Sequence, residues 1–151
     1  MQLTMTGEYA IRTMIHLSSL PFGTIAQISD IAKQWDIPDN FLRKISAQLA
    51  GAGLIVSVRG INGGIRLSRP AETLTVLDVI EAVEGKIALN KCLLCDCFCL
   101  REEWCEVHEL WTEAQRKLKE VLSSKSLAQL AAENLNRRAA LQSATQESTA
   151  A

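Results

Sequence analysis

Apolar residues recur along the first fifty positions at helical spacing. Ala10, Ile11, Met14, Ile15 and Leu17 or Leu20 form one stripe over residues 8–20, closed by Pro21-Phe22-Gly23. Ile28, Ile31, Ala32 and Trp35 form a second stripe, and Phe41, Leu42, Ile45 and Leu49 a third, all four of the last expected in the core. Between these two, Asp36-Ile37-Pro38-Asp39 reads as a tight turn with proline placed to open the next helix, which Gly51 and Gly53 close. The period then changes. Leu54-Ile55-Val56-Ser57-Val58 is rich in β-branched residues, Arg59-Gly60-Ile61-Asn62-Gly63-Gly64 supplies a turn, and Ile65-Arg66-Leu67-Ser68 returns, which predicts a hairpin. Three helices followed by a hairpin is the order of a winged helix-turn-helix.

Thr75 caps a further amphipathic helix, Val76 to Glu84, with Asp78 placed for a capping box and Gly85 as the stop. A long helix follows from about Glu103, carrying Val107, Leu110, Trp111, Ala114, Leu118, Val121 and Leu122 on one face. That stripe is longer than one small domain needs to cover itself. A shorter helix runs from Ser126 to about Asn134, and residues 137–151, rich in Ala, Ser, Gln and Thr, are expected to be disordered. The predicted fold class is mainly α with a small β-hairpin wing. A winged helix-turn-helix domain over 1–84 precedes a cysteine loop and dimerisation helix over 85–136, then the tail.

Composition narrows the class. With 151 residues and 48% hydrophobic content the chain can bury a core without disulfides. The opening Met1-Gln2-Leu3-Thr4-Met5-Thr6-Gly7-Glu8 has neither a basic nor an apolar leader region, and no apolar run reaches membrane-spanning length. A cytoplasmic location away from membranes is therefore expected. No phosphate loop, hydrolase elbow or convincing triad is present, so enzyme activity is not expected. The net charge of −1 divides unevenly: residues 1–70 hold seven Lys or Arg against four Asp or Glu. A basic first half suits contact with a polyanion, although the excess is small.

The third helix carries the candidate reading surface. Opposite its apolar face stand Asn40, Arg43, Lys44 and Ala47, short polar and cationic side chains with a small residue that permits close approach. Arg43 can donate two hydrogen bonds to a guanine, while Lys44 suits phosphate. Arg59 and Arg66 flank the glycine-rich turn, where an arginine reaches the minor groove or its phosphates. Each feature alone is as readily a solvated surface. Appearing together and in order, they point to double-stranded DNA, and the long apolar helix to a dimer on two half-sites.

The five cysteines, Cys92, Cys95, Cys97, Cys99 and Cys105, fall within fourteen residues, with His108 three positions after the last. In a reducing compartment such clustering means a metal, an iron–sulfur cluster or a redox switch rather than a disulfide framework. Zinc could use Cys92, Cys95, Cys105 and His108 but would leave Cys97 and Cys99 spare. A thiol switch needs a low-pKa attacking thiol that the sequence does not identify. An iron–sulfur cluster needs three thiolates and one further ligand and tolerates additional cysteines nearby. Composition alone leaves zinc and iron–sulfur level.

Three stretches, Met1-Gln2-Leu3-Thr4 with Gly7-Glu8-Tyr9-Ala10, Leu54 to Gly60 with Gly63-Gly64, and Cys99-x5-Cys105-x2-His108-Glu109-Leu110-Trp111, carry a resemblance. By them the chain resembles the IscR/NsrR/RirA group of winged-helix iron–sulfur transcription regulators, over nearly everything before the tail. The resemblance implies a homodimer, a cluster in the loop before the dimerisation helix, and DNA binding that responds to the cluster. It implies Cys99 and Cys105 as the firmest ligands and Cys92 as the third. The fourth ligand is either His108 or Glu8, the latter reaching across from the partner subunit. Whether the cluster is 2Fe–2S or 4Fe–4S stays open, as do the roles of Cys95 and Cys97. Arg43 stands where one branch of the group has an acidic residue, so the operator sequence does not carry over.

The expected function is a sequence-specific DNA-binding transcription regulator, with repression its expected sense. Its cluster would report iron, redox state or nitric oxide. The alternatives are a structural zinc or a thiol redox switch in the same loop, or an electron-transfer iron–sulfur protein in which the helix-turn-helix is only a scaffold.

Overall fold

The chain begins its first helix earlier than the apolar stripe suggests, because Thr4 is an effective cap. Its hydroxyl accepts a hydrogen bond from the Gly7 amide at 3.3 Å, and α1 runs Met5–Ser18. The structure, a computed structural model, describes residues 3–94, 101 and 104–149. α2 (Ile28–Trp35) and α3 (Asp39–Gly51) form the helix-turn-helix pair. The turn between them is made by Asp36, which closes α2 in the left-handed conformation (φ 52, ψ 50), while the Ile37 amide bonds back to the Ala32 carbonyl at 2.9 Å. A short polar side chain tolerates that conformation better than most. Pro38, at the N-cap, fixes the entry into α3.

The wing is the antiparallel hairpin of β1 (Ile55–Val58) and β2 (Gly64–Leu67), paired Ile55 to Leu67 and Val58 to Gly64. Ala26, before α2, exchanges two 2.9 Å backbone hydrogen bonds with Ile65, so the hairpin is tied to the reading pair as well as to α3. This close approach requires Gly64, since a Cβ there would collide with the Ala26 carbonyl. α4 (Val76–Glu84) has the capping box read from the sequence. The Thr75 amide donates to Asp78 Oδ2 at 2.8 Å, and the Asp78 amide donates to Thr75 Oγ1 at 3.3 Å.

The core lies where α1, α3, α4 and the hairpin meet. Met14, Ile31, Leu42, Leu49 and Leu74 are fully enclosed, and truncating any of the leucines to alanine costs about 2–5 kcal/mol. α5 (Glu106–Ser123) leaves this body and α6 (Leu127–Thr149) returns to it. Leu127 and Ala131 are buried, and the Leu127 amide bonds to the Leu74 carbonyl at 2.8 Å.

Three expectations need correction. Phe41 is not a core residue: it is 45% exposed and meets Tyr9 of α1 edge-on, with ring centroids 6.3 Å apart. Its neighbour Leu42 takes the inward position, and the step of about 100° between successive helical residues carries Phe41 to the edge of the buried face. α5 begins at Glu106 rather than near Glu103, with Cys105 at its N-cap. The segment expected to be disordered from residue 137 continues α6 to Thr149. The docked turn at Leu127 and Ala131 nucleates that helix, and the following Ala, Leu, Gln and Arg residues, without Gly or Pro, extend it.

Candidate DNA-binding face and cysteine loop

α3 presents Asn40, Arg43, Lys44 and Ala47 to solvent while Leu42, Ile45, Ser46 and Leu49 are buried. The four reading candidates thus share one exposed face. Arg43 does not extend freely: its Nε donates to Asp39 Oδ2 at 2.7 Å, one turn earlier. Arg43 also borders a cleft of about 310 Å³ between the start of α2 and the wing, together with Gln27, Ser29, Ser57, Gly60 and Ile61. The N-cap residue of α2, Gln27, makes no side-chain cap, so the first amides of that helix are open to this cleft's edge. Lys44 and Ala47 border a second cleft, of about 650 Å³, together with Thr4, Thr6, Phe41 and Glu84.

The two wing arginines differ. Arg59 is exposed immediately after β1, where Gly60 (φ 113) and a 2.9 Å bond from the Gly63 amide to the Gly60 carbonyl shape the turn. Arg66 is half-buried within β2, and its guanidinium donates to the Leu67 carbonyl at 3.4 Å. Ile61, at the tip between them, is fully exposed. Sequence pattern alone passed over Ile61 and Asp39; the i, i+4 spacing of Asp39 and Arg43 was the available signal for the second.

The two ends of the cysteine loop are anchored to one helix, α5. Cys92 sits in a 3-10 turn, Lys91–Leu93, that packs against α5. The Leu89 amide donates to Gln115 Oε1 of α5 at 3.1 Å, and Glu81 of α4 accepts from both the Ile87 amide and Lys119, each at 3.3 Å. Cys105 caps α5, and His108 lies one turn on, its amide bonded to the Cys105 carbonyl at 2.9 Å. Three residues apart on a helix, the two side chains share a face. Cys92 and Cys105 are free, half-buried thiols. Cys95, Cys97 and Cys99 lie outside the described residues. Among the described residues no three His, Cys, Asp or Glu side chains come together as a metal site.

Glu8, the other ligand candidate, lies in the first turn of α1 and is ion-paired with Arg12. Arg12 also reaches the Trp35 carbonyl at 3.4 Å, so this carboxylate belongs to the link between α1 and α2.

α5 has two unlike faces. On the charged side Arg116 bonds Glu113 and Glu120, and the Arg116 bonds hold the Glu113 carboxyl at about 2. On the apolar side Val107, Leu110 and Val121 are more than half exposed and Trp111 is 37% exposed. None of its eighteen residues is buried.

A family description, Rrf2, iron-dependent transcriptional regulator, matches residues 3–133. The chain belongs to the Rrf2 family. It is thus a transcriptional regulator of winged-helix type, and its family is one of regulators rather than enzymes. Among solved structures it is similar to CymR (YrzC), the global cysteine regulator of B. subtilis. That match has 28% identity over 88% of this chain and 98% of that one, with a TM-score of 0.75. The oxidized form of Staphylococcus aureus CymR matches at 28% identity over 87% and 96% of the two chains, with a TM-score of 0.67. T. potens IscR matches at 25% identity over 89% and 88%, with a TM-score of 0.70. The IscR-type resemblance read from the sequence is therefore to the right family. Among the described residues no helix is long and apolar enough to cross a membrane.

Proposed function

We propose that the chain is a homodimeric, sequence-specific DNA-binding repressor whose operator affinity is set by an iron–sulfur cluster in the Cys92–Cys105 loop. The observation that carries this reading is the anchoring of both loop ends to α5, the helix on which Val107, Leu110 and Val121 stand more than half exposed. Thiolates are soft ligands suited to such clusters, and two half-buried free thiols with an imidazole one turn on fit the donor set. Cys92, Cys99 and Cys105 would hold the cluster, with His108 or Glu8 of a second copy as fourth ligand. A Glu8 ligand would have to leave Arg12. When bound, the cluster supplies a group whose presence and oxidation state follow iron, oxidants or nitric oxide.

The chain's own residues convert that into DNA affinity. Cys105 begins α5, so a rearrangement of the loop acts directly on the dimerisation helix, and Glu81 and Gln115 pass the same change to α4 and to the loop's other end. Two reading heads on one operator need only a small change in spacing. A difference of about 1–3 kcal/mol between two conformations makes a useful switch. Asn40 and Arg43 would read bases, Lys44 and Arg66 phosphates, and Arg59 the minor groove.

The test is anaerobic purification, iron and sulfide analysis with visible spectra, and DNA binding of cluster-loaded and cluster-free forms. Bound iron and sulfide with different affinities support the reading. A colourless zinc protein, or affinity indifferent to cluster removal, overturns it.

The likeness to CymR, a cysteine regulator with an oxidized form, favours a second reading in which the loop thiols switch by disulfide formation. Iron would then be absent, and oxidant would lower the free-thiol count and shift DNA affinity together. The electron-transfer alternative gives way to the family's regulatory role.

A further inference from the structure

Asp39 and Arg43 stand one turn apart on the exposed face of α3, with Arg43 Nε donating to Asp39 Oδ2 at 2.7 Å. The helix favours this carboxylate: Asp39 lies in the first turn, where free amides and the helix dipole stabilise negative charge. Pro38 at the N-cap offers no side-chain acceptor to compete. Both partners remain largely solvated, so the contact contributes little to folding. Its geometry matters more. Because the carboxylate engages Nε, the two terminal nitrogens of the guanidinium are left as a parallel pair of donors on the opposite edge. That pair matches the O6 and N7 acceptors of guanine in the major groove.

We propose that Asp39 is a positioning residue for DNA reading. It holds the Arg43 guanidinium edge-on toward a guanine and so sets the protein's preference at that base. The inference rests on α3 being the recognition helix. A carboxylate near DNA also repels phosphate, so Asp39 weakens binding to DNA in general while sharpening the choice of base. The two effects have opposite signs, which separates this role from a structural one.

The experiment uses the full-length protein purified anaerobically. A binding site is selected from a randomised duplex pool. Affinities are then measured for that duplex, for a duplex with the contacted guanine replaced by 7-deazaguanine, and for one with adenine there. Wild type, Asp39→Asn, Asp39→Glu and Arg43→Ala are compared, with circular dichroism reporting the fold of each. The expected result is that Arg43→Ala abolishes the preference for guanine. Asp39→Asn should lower it on the order of fivefold or more, while affinity for random duplex holds or rises. Asp39→Glu, which keeps the carboxylate, should retain more of the preference than Asp39→Asn. If Arg43→Ala loses the preference and Asp39→Asn keeps it in full, the positioning role is overturned. If Arg43→Ala itself leaves the preference unchanged, the recognition-helix reading fails and the inference falls with it.

Discussion

Glu84, the last residue of α4, accepts hydrogen bonds from both the amide and the hydroxyl of Thr4, at 3.0 and 2.8 Å. The end of α4, just before the cysteine segment, is thereby fastened to the cap of α1. Gly7 makes the contact possible: it is buried, and a Cβ there would run into the Glu84 carboxylate and Leu3. Gly7→Ala is expected to cost about 1–3 kcal/mol, as overpacking does. The obstacle is the far end of a flexible side chain, so adding Glu84→Ala should recover part of that loss. Urea unfolding of the two single variants and the double variant gives the coupling directly. Strict additivity would show that the two residues do not meet as described.

His16 introduces a pH dependence. The Trp35 indole donates to its Nδ1 at 3.3 Å, and Arg138 of α6 lies over the Trp35 ring, 4.9 Å from the centroid. Burial first, and then Arg138, push the His16 pKa below its ordinary 6.5, with Asp30 opposing. The folded state therefore binds this proton less readily than the unfolded chain. Its contribution to stability is full above the unfolded value and is lost as pH falls through the lowered folded value. Unfolding free energies from about pH 8 to about pH 5 should decline toward acid. His16→Gln, which keeps an acceptor for Trp35, should flatten that slope, and an unchanged slope would assign it to other groups.

The reading head was legible because its signals are local. Ile31 and Ala32, Leu42 and Leu49, and the Thr75–Asp78 box each follow from spacing within a few residues, and all stand where the pattern put them. Phe41 went astray because hydrophobicity alone does not say which of two adjacent apolar residues turns inward. The Thr4–Glu84 and His16–Trp35–Arg138 contacts were illegible for another reason. They join residues far apart in sequence, and no periodicity within one element reports them. In the candidate site, residue types were readable, but the Asp39 hold on Arg43 and the turning-in of Arg66 came only from the folded chain.

The apolar face of α5 yields a prediction about assembly. Val107, Leu110 and Val121 are largely exposed, and such a stripe is expected to be covered by a second copy. Leu110→Glu with Val121→Glu should give a monomer by sedimentation velocity. Helical content should be retained, since neither side chain is buried in the single chain. Operator binding should fall by orders of magnitude, because one reading head engages only one half-site. A double variant that stays dimeric would place the interface elsewhere.

Substitutions in the cysteine loop separate the ligand readings. Cys92→Ser and Cys105→Ser, at the two anchored ends, should each lower iron and sulfide after anaerobic purification to a small fraction of wild type. Cys95→Ser and Cys97→Ser should leave both near wild type. For the fourth ligand, His108 shares a helical face with Cys105, whereas Glu8 is engaged by Arg12 on its own helix. His108→Ala is therefore expected to shift the visible spectrum and speed cluster loss in air. Glu8→Gln should leave both unchanged, yet release Arg12 and so lower the melting temperature slightly. The reverse pattern, a spectrum altered by Glu8→Gln alone, would give the fourth position to the carboxylate of a second copy. Cluster content unaffected by Cys92→Ser and Cys105→Ser alike would remove the loop from the cluster site and favour the thiol-switch reading.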